Sequence, residues 1–407
     1  MTSCRGCFDN LNSTFLNLGM TPIANNLINT KNIFEPETFY PLHTMVCNTC
    51  GLVQLPELVK KEILFSSDYV YYSSYSSSWL DHSKKYVHEM VRKLSLESDD
   101  LVIEVASNDG YMLQYFAALG IEVLGIEPAA ELANYSNSKG IKTIQEFFGE
   151  NLAVKLAARK KPKLIIGNNV LAHVPDLHDF IKGFSILIAD DGIITFEFPH
   201  LLNLIKNNQF DTIYHEHYSY LSITALMPIF ESYGLKIIDL EEIKTHGGSL
   251  RVTLAKSYGL TINHDGITKI ISQEIMFDPR NLDVRSNLQQ KVKKIKIELI
   301  SELIRSKKAC KRVIAYGAAA KGNTLLNYSK IDSDLIDYVV DLNPNKQGKH
   351  MPGSHIPIVG DSILKDNPPD IVLVLPWNIS EEIKDQLSFL NASGIKYLRA
   401  IPNVEYF

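Results

Sequence analysis

The sequence predicts an α/β protein in three parts: a small metal-organised module, a doubly wound domain, and a second doubly wound domain. Three observations carry that prediction. Two Cys-x-x-Cys pairs, Cys4/Cys7 and Cys47/Cys50, bracket a stretch with little sustained hydrophobic periodicity. Apolar strand-length runs alternate with helix-length runs from residue 101 to about 200, and the same rhythm returns from residue 312 onward. Such alternation belongs to parallel sheets covered by helices. The implied boundaries are 1–66, 67–260 and 261–407, and 407 residues is too long for one ordinary core.

Composition narrows the function classes. Hydrophobic residues make up 45% and charged residues 21%, as in soluble globular proteins. A net charge of −5 supplies no broad basic field for nucleic acid or an anionic membrane. The opening "MTSCRGCFDN" lacks a secretory n-region and h-region, and no apolar run approaches membrane-spanning length. The expectation is a cytoplasmic protein with neither a nucleic-acid nor a membrane partner.

In the first part, Cys4, Cys7, Cys47 and Cys50 form two knuckles whose x₂ spacing lets both sulfurs of a pair face one ion. Four thiolates meet the tetrahedral demand of Zn²⁺ and leave no open position, so the expected role is structural. Disulfides are disfavoured in a reducing compartment, and no thioredoxin-like context surrounds either pair. A Tyr/Ser-rich stretch, "DYVYYSSYSSSW", then runs into a helix with Trp79, Tyr86 and Met90 at helical spacing.

In the second part, strands are expected at 101–106, 121–127, 163–169 and 192–199, with an antiparallel pair at 235–243 and 249–256 closing the sheet. "EVASNDGYML" leads from the first strand through a polar turn into a helix, where backbone N–H groups can approach a ligand. It is not G-x-G-x-x-G, so a dinucleotide cradle is not indicated. Glu127 ends the next strand, placed to accept from two ribose hydroxyls, and Asn168, Asn169 and His173 fall at the end of the fourth. That layout points to an S-adenosylmethionine-dependent methyltransferase of the class I Rossmann-like type. Glu104, Ala106, Asn108, Gly110, Tyr111, Glu127, Pro128, Asn168 and Asn169 are the candidate cofactor residues.

In the third part, "QQKVKKIKIELISELIRSKKAC" (289–310) is a long amphipathic helix, followed by strands at 312–318, 336–343 and 370–377. "VIAYGAAAKGNTLLNY" turns at Gly317 and enters a helix near Lys321, so small residues and a lysine can approach a phosphate. Asp341 ends the next strand and could take a sugar hydroxyl, and Trp377, ending another, is available to stack on a ring.

With "CRGC…CNTC", "EVASNDGYML", "GIEPA", "NNVLAHVPD", "YHEHYSY", "THGGSLR" and "GAAAKGNTLLNY" in this order, the chain resembles the sugar C-methyltransferase family over nearly its whole length. Those enzymes methylate C3 of nucleotide-linked 4-keto-6-deoxy sugars. The resemblance implies S-adenosylmethionine and structural Zn²⁺ as cofactors, and a dTDP- or GDP-linked 4-keto sugar as partner. It implies His217 as the base that removes the C3 proton. Imidazole suits that task because its ordinary pKa lies near neutrality. His173, Tyr214 and Glu216 match positions lining the same cavity, and Tyr71 and Tyr75 match a segment reaching it. Tyr75, His246, Arg251, Lys321, Asn323, Asp341 and Trp377 are the candidate substrate contacts. His215 is left out of the chemistry, because it would face away if the segment is extended. An O- or N-methyltransferase on another small molecule and a zinc-stabilised binding protein stand as rival readings. Oligomeric state stays open, a monomer being compatible.

Overall fold

The computed structural model describes residues 3–57, 59, 72–75, 77–256 and 261–407. The middle sheet has seven strands in the order Lys236–Ile243, Ser249–Ala255, Ile193–Pro199, Leu164–Asn168, Leu101–Val105, Glu122–Ile126, Thr143–Ile144. Six share one direction; only Ser249–Ala255, the strand of the expected hairpin that pairs with Ile193–Pro199, is reversed. This is the class I methyltransferase arrangement. Leu101–Val105 and Leu164–Asn168 are buried at every position, because helices cover both faces. Helix Ser77–Leu94 lays Trp79, Tyr86, Val87 and Met90 on one face, against Val102, Leu164 and Ile166. Helix Leu177–Leu187 lays Phe180, Ile181 and Phe184 on the other, against Ile103 and Phe196.

The third part is a second doubly wound sheet, ordered Ile358–Val359, Val339–Val340, Val313–Tyr316, Ile371–Val374, Lys396–Arg399, Glu405–Tyr406. Only the last strand is antiparallel. The long helix spans Leu282–Lys308, starting earlier than its apolar periodicity suggests because the Asn281 side chain caps it, accepting from Asp283 N–H at 2.8 Å. Leu288, Val292, Ile295, Leu299 and Leu303 form its buried stripe.

The N-terminal module does not stand apart. Its sheet runs Ser13–Thr21, Tyr40–Val46, Val53–Gln54, and its fourth strand, Ser219–Tyr220, comes from the "YHEHYSY" segment. Cys4, Leu11, Cys47 and Leu52 join the core of the middle sheet. Phe15, Leu16, Leu42 and Val53 join the core beneath the long helix. An arm, Ile28–Asn29, pairs with Lys349–His350 of the third part. Among the described residues, no helix is long and apolar enough to cross a membrane.

Candidate active site

The carboxyl ends of Leu101–Val105, Glu122–Ile126 and Leu164–Asn168 open on one crevice. The chain leaves the first strand through Ala106, Asn108 and Gly110 at φ 59°, 51° and 77°. Left-handed backbone at non-glycine residues costs about 1–3 kcal/mol each and persists where neighbours hold it. Here Ala106 N–H donates to the Ile126 carbonyl at 2.8 Å and Asn108 N–H to Glu127 Oε2 at 2.9 Å. The other Glu127 oxygen accepts from Ala129 N–H at 2.9 Å. Gly110 admits no side chain, since a Cβ would lie 2.7 Å from Ser136 Oγ.

Around this turn Ser107 Oγ, Asp109 Oδ1, both amide atoms of Asn168 and Asn169 Oδ1 are buried without a hydrogen-bond partner among the described residues. Buried polar atoms are normally paired, so this concentration marks a site for a polar ligand. Burial pushes Glu104 well above the usual carboxylate range, with Tyr111 opposing, and lifts Glu127 to about 7 against its backbone donors. Hydroxyl donors and a cation would relieve both carboxyls, which fits S-adenosylmethionine. Ser73 N–H and Ser74 N–H close over the turn, bonding Asn108 Oδ1 at 3.0 Å and Asp109 Oδ2 at 3.2 Å.

The opposite wall carries the candidate base. His217 Nδ1 lies 3.0 Å from the Thr212 carbonyl, which can only accept, so Nδ1 holds the proton and Nε2 presents its lone pair. The Tyr214 hydroxyl sits 2.9 Å from that Nε2. The His173 ring meets His217 edge-on with centroids 4.6 Å apart, and His173 Nδ1 donates to the Glu216 carbonyl at 2.7 Å. Burial lowers the His217 pKa well below its ordinary value, with His173, Lys321 and His246 pressing the same way; burial takes His173 to about 4. Both imidazoles are neutral at pH 7. His246 connects the two walls: its Nε2 lies 3.4 Å from Asn169 Nδ2, and its ring centroid is 5.2 Å from that of Trp79. The Glu216 carboxylate turns to the N-terminal module, taking Asn25 N–H at 3.2 Å and Asn25 Nδ2 at 3.0 Å. His215 points to Pro41 and Tyr40.

Other candidates land elsewhere. Tyr75 is exposed and stacks on Tyr72, which meets Tyr135 on the helix after Glu127, so it sits beside the cofactor turn rather than against His217. Tyr71 lies outside the described residues. Arg251 is not presented to a phosphate: it bonds Glu197 at 2.6 Å and Glu241 at 2.7 Å, with Glu89 at 3.5 Å, in a cluster that also holds His82. Asn323 is buried within helix Ala320–Ser329, its amide oxygen taken by Asn327 at 3.2 Å. Asp341 spends its oxygens on Ala318 N–H and Asn343 N–H, each at 2.8 Å, with Lys346 at 3.5 Å. Trp377 is not open for stacking on a nucleotide, because its indole N–H donates to Asp211 at 2.6 Å and its ring closes on Gly247. Lys321 lies over that ring, 5.0 Å from its centroid, and donates to Asn378 at 2.7 Å; burial lowers its pKa to about 8, with Asp211 opposing. The third part therefore braces the loop that carries Thr212.

The four cysteine sulfurs lie within 4.8 Å of one another, with Cys4–Cys50 at 3.5 Å and Cys7–Cys47 at 3.4 Å. A tetrahedral Zn²⁺ with bonds of about 2.3 Å requires sulfurs somewhat under 4 Å apart, so the set fits zinc. Gly6 N–H and Gln54 Nε2 donate to Cys4 Sγ at 3.3 and 3.1 Å, the outer support such a site needs. Among the described residues this is the one metal-capable group.

Several residues of the site carried no sequence signal. Asn25, Thr212 and Gln209 act through backbone or at long range, and Gln209 holds the Gly247 carbonyl at 2.7 Å.

Comparison with known proteins covers nearly the whole molecule. Family profiles match in three consecutive stretches: a zinc binding domain over residues 4–65, a methyltransferase domain over 79–240, and a C-methyltransferase C-terminal domain over 244–402. The C-methyltransferase NovU of Streptomyces niveus is 33% identical over 401 residues, covering 98% of this chain and 95% of its own. A ubiquinone biosynthesis O-methyltransferase of Colwellia psychrerythraea is 25% identical over 158 residues, 36% of this chain and 64% of its own. An S-adenosylmethionine-dependent methyltransferase structure from Clostridium acetobutylicum aligns with 44% of this chain and 92% of its own, at 12% identity and a TM-score of 0.36.

Proposed function

We infer the substrate from one premise: the chain belongs to the C-methyltransferase family, and it is an S-adenosylmethionine-dependent C-methyltransferase. We propose that it methylates C3 of a nucleotide-linked 4-keto-6-deoxy sugar through an enolate. The motif order "YHEHYSY…THGGSLR…GAAAKG", which resembles that of the sugar C-methyltransferases, supports that substrate class. The single observation that carries the mechanism is the tautomer of His217.

Carbon alkylation next to a ketone needs a base for the α-proton before the carbon becomes nucleophilic. His217 suits this because Thr212 fixes its Nδ1–H and leaves Nε2 as acceptor. The C3–H bond breaks, the proton goes to Nε2, and the electron pair becomes the enolate whose oxygen was the C4 ketone. The Tyr214 hydroxyl donates to that nitrogen in the ligand-free protein. It turns away as the nitrogen takes the proton and then offers a donor where negative charge grows on the enolate oxygen. The bound cofactor supplies an electrophilic methyl at its sulfonium, so the residues of the crevice contribute alignment rather than activation.

Replacing His217 by Asn keeps a polar side chain but removes the basic nitrogen. His217→Asn is expected to abolish solvent-deuterium exchange at C3 of the sugar while S-adenosylhomocysteine still raises the melting temperature. Retained exchange removes His217 from this role. An O- or N-methylating enzyme would show no exchange at carbon even in the unmutated protein.

A further inference from the structure

We propose that Arg5, the residue after the first zinc ligand, is a positioning residue for the catalytic segment; this rests on the reading of His217 as base. Its guanidinium spans three stretches of chain that are remote in sequence. Nε donates to the Pro175 carbonyl at 3.2 Å, Nη1 to the Tyr218 carbonyl at 2.5 Å, and Nη2 to the Leu55 carbonyl at 2.9 Å. Pro175 follows His173 by two residues, and Tyr218 follows His217 by one.

The two histidine-bearing segments already meet twice. Tyr218 N–H donates to the Ala172 carbonyl at 2.8 Å, and His173 Nδ1 to the Glu216 carbonyl. Arg5 adds the third tie, from outside both segments, and a planar guanidinium holds its donors in a fixed fork that a single ammonium cannot copy. The Tyr218 carbonyl also receives Leu55 N–H at 2.9 Å, at the point where Ser219–Tyr220 enters the N-terminal sheet. Arg5 is itself held. Its N–H bonds Gln54 Oε1 at 3.0 Å, and the adjoining Gly6 carbonyl accepts from His178 Nε2 at 2.9 Å. Since Cys4 and Cys7 flank it, zinc bound by the cysteines fixes the backbone from which Arg5 reaches the catalytic segment. The metal's structural role thereby extends to the register of His217 against His173.

The test compares Arg5→Met, which keeps the apolar stem, with Arg5→Lys, which keeps the charge but not the fork. Both are purified with zinc content and melting temperature measured. S-adenosylhomocysteine affinity, kcat, KM and C3 exchange follow. Selectively ¹⁵N-labelled histidine reports the His217 Nδ1–H signal in the resting protein. With zinc and S-adenosylhomocysteine affinity retained, Arg5→Met is expected to lower kcat and C3 exchange together, roughly 10–100-fold, the usual scale for outer supporting groups. KM should stay nearly constant, and the Nδ1–H signal should broaden or shift. Arg5→Lys should recover part of each. Unchanged kcat and an unchanged His217 signal in a folded, zinc-replete Arg5→Met protein would overturn the proposal. If Arg5→Met does not fold, Arg5→Lys decides: full activity with an unmoved signal overturns it equally. Should His217 prove not to be the base, His217→Asn would retain exchange, whereas the labelled-histidine signal would still tell whether Arg5 orders the segment.

Discussion

The two doubly wound sheets use one device for different ends. Each has an acid just beyond its second strand that pins the turn leaving its first. Glu127 takes Asn108 N–H and Ala129 N–H, each at 2.9 Å. Asp341 takes Ala318 N–H and Asn343 N–H, each at 2.8 Å. The surroundings then diverge. Beside Asp341, Lys346 lies 3.5 Å away and also bonds the Ala318 carbonyl at 2.8 Å, so protein closes the turn. Beside Glu127 stand Glu104 and Asp109, with a row of polar atoms that have no partner among the described residues. The same turn can receive a ligand where its polar groups are left open, and is a brace where the chain satisfies them itself.

The largest expected effect comes from the same isosteric change in both sheets. Glu127→Gln and Asp341→Asn each set an amide N–H₂ against a backbone N–H. Each should cost stability on the order of 1–3 kcal/mol in denaturant melts, the scale for an unmet buried donor. Only Glu127→Gln also removes, beside the open crevice, the charge and one of the two acceptor oxygens available to ligand hydroxyls. It should weaken S-adenosylhomocysteine binding roughly 100-fold, about 2.7 kcal/mol, while Asp341→Asn leaves that affinity essentially unchanged. Equal losses of affinity in calorimetry would erase the distinction between the sheets.

A smaller effect tests whether the second sheet is a brace. Trp377 gives its N–H to buried Asp211, whose pKa burial raises to about 6 with Lys321 opposing. Asp211 immediately precedes Thr212, whose carbonyl fixes the His217 tautomer. Trp377→Phe keeps a ring but leaves a buried carboxylate oxygen unmet. It should cost about 1–3 kcal/mol of stability and lower kcat by about tenfold through a loosened Thr212, with cofactor affinity unchanged. Unaltered kcat would make the third part dispensable to the base.

These contrasts mark what was legible in the sequence. Leu101–Val105 and Leu164–Asn168 stand out as mostly apolar runs, broken only by Glu104 and by Asn168 at the strand end, because both faces are covered. Thr143–Ile144 and Ile358–Val359 are too short to show a period. The four cysteines carry their ligand chemistry in their spacing, and Glu127 carries its place at a strand end. Arg251 and Trp377 show the opposite case. Both have a chemistry suited to a substrate, and only the fold reveals that Glu197 and Asp211 already engage them. Arg5 and Asn25 reach partners 213 and 191 residues away, and no local pattern encodes such pairings.

The smallest effect is a pH dependence peculiar to the open sheet. Burial lifts Glu127 to about 7, so at pH 6 most of the ligand-free protein carries a proton there. A ligand whose hydroxyls need the carboxylate must first displace that proton. Native Glu127 without ligand binds the proton more readily than the complex does, so linkage makes affinity rise with pH and level off above about 7. Titrating S-adenosylhomocysteine, which lacks the sulfonium charge, isolates this contribution. Its dissociation constant should fall by up to about tenfold from pH 6 to pH 7.5, and the slope should vanish in Glu127→Gln. An unpaired but well-solvated carboxyl, titrating near 4.3, would give a flat profile over that range. A flat profile in the unmutated protein would therefore mean that Glu127 is held ionised without its ligand, and the contrast with the lysine-closed turn at Asp341 would lose its electrostatic half.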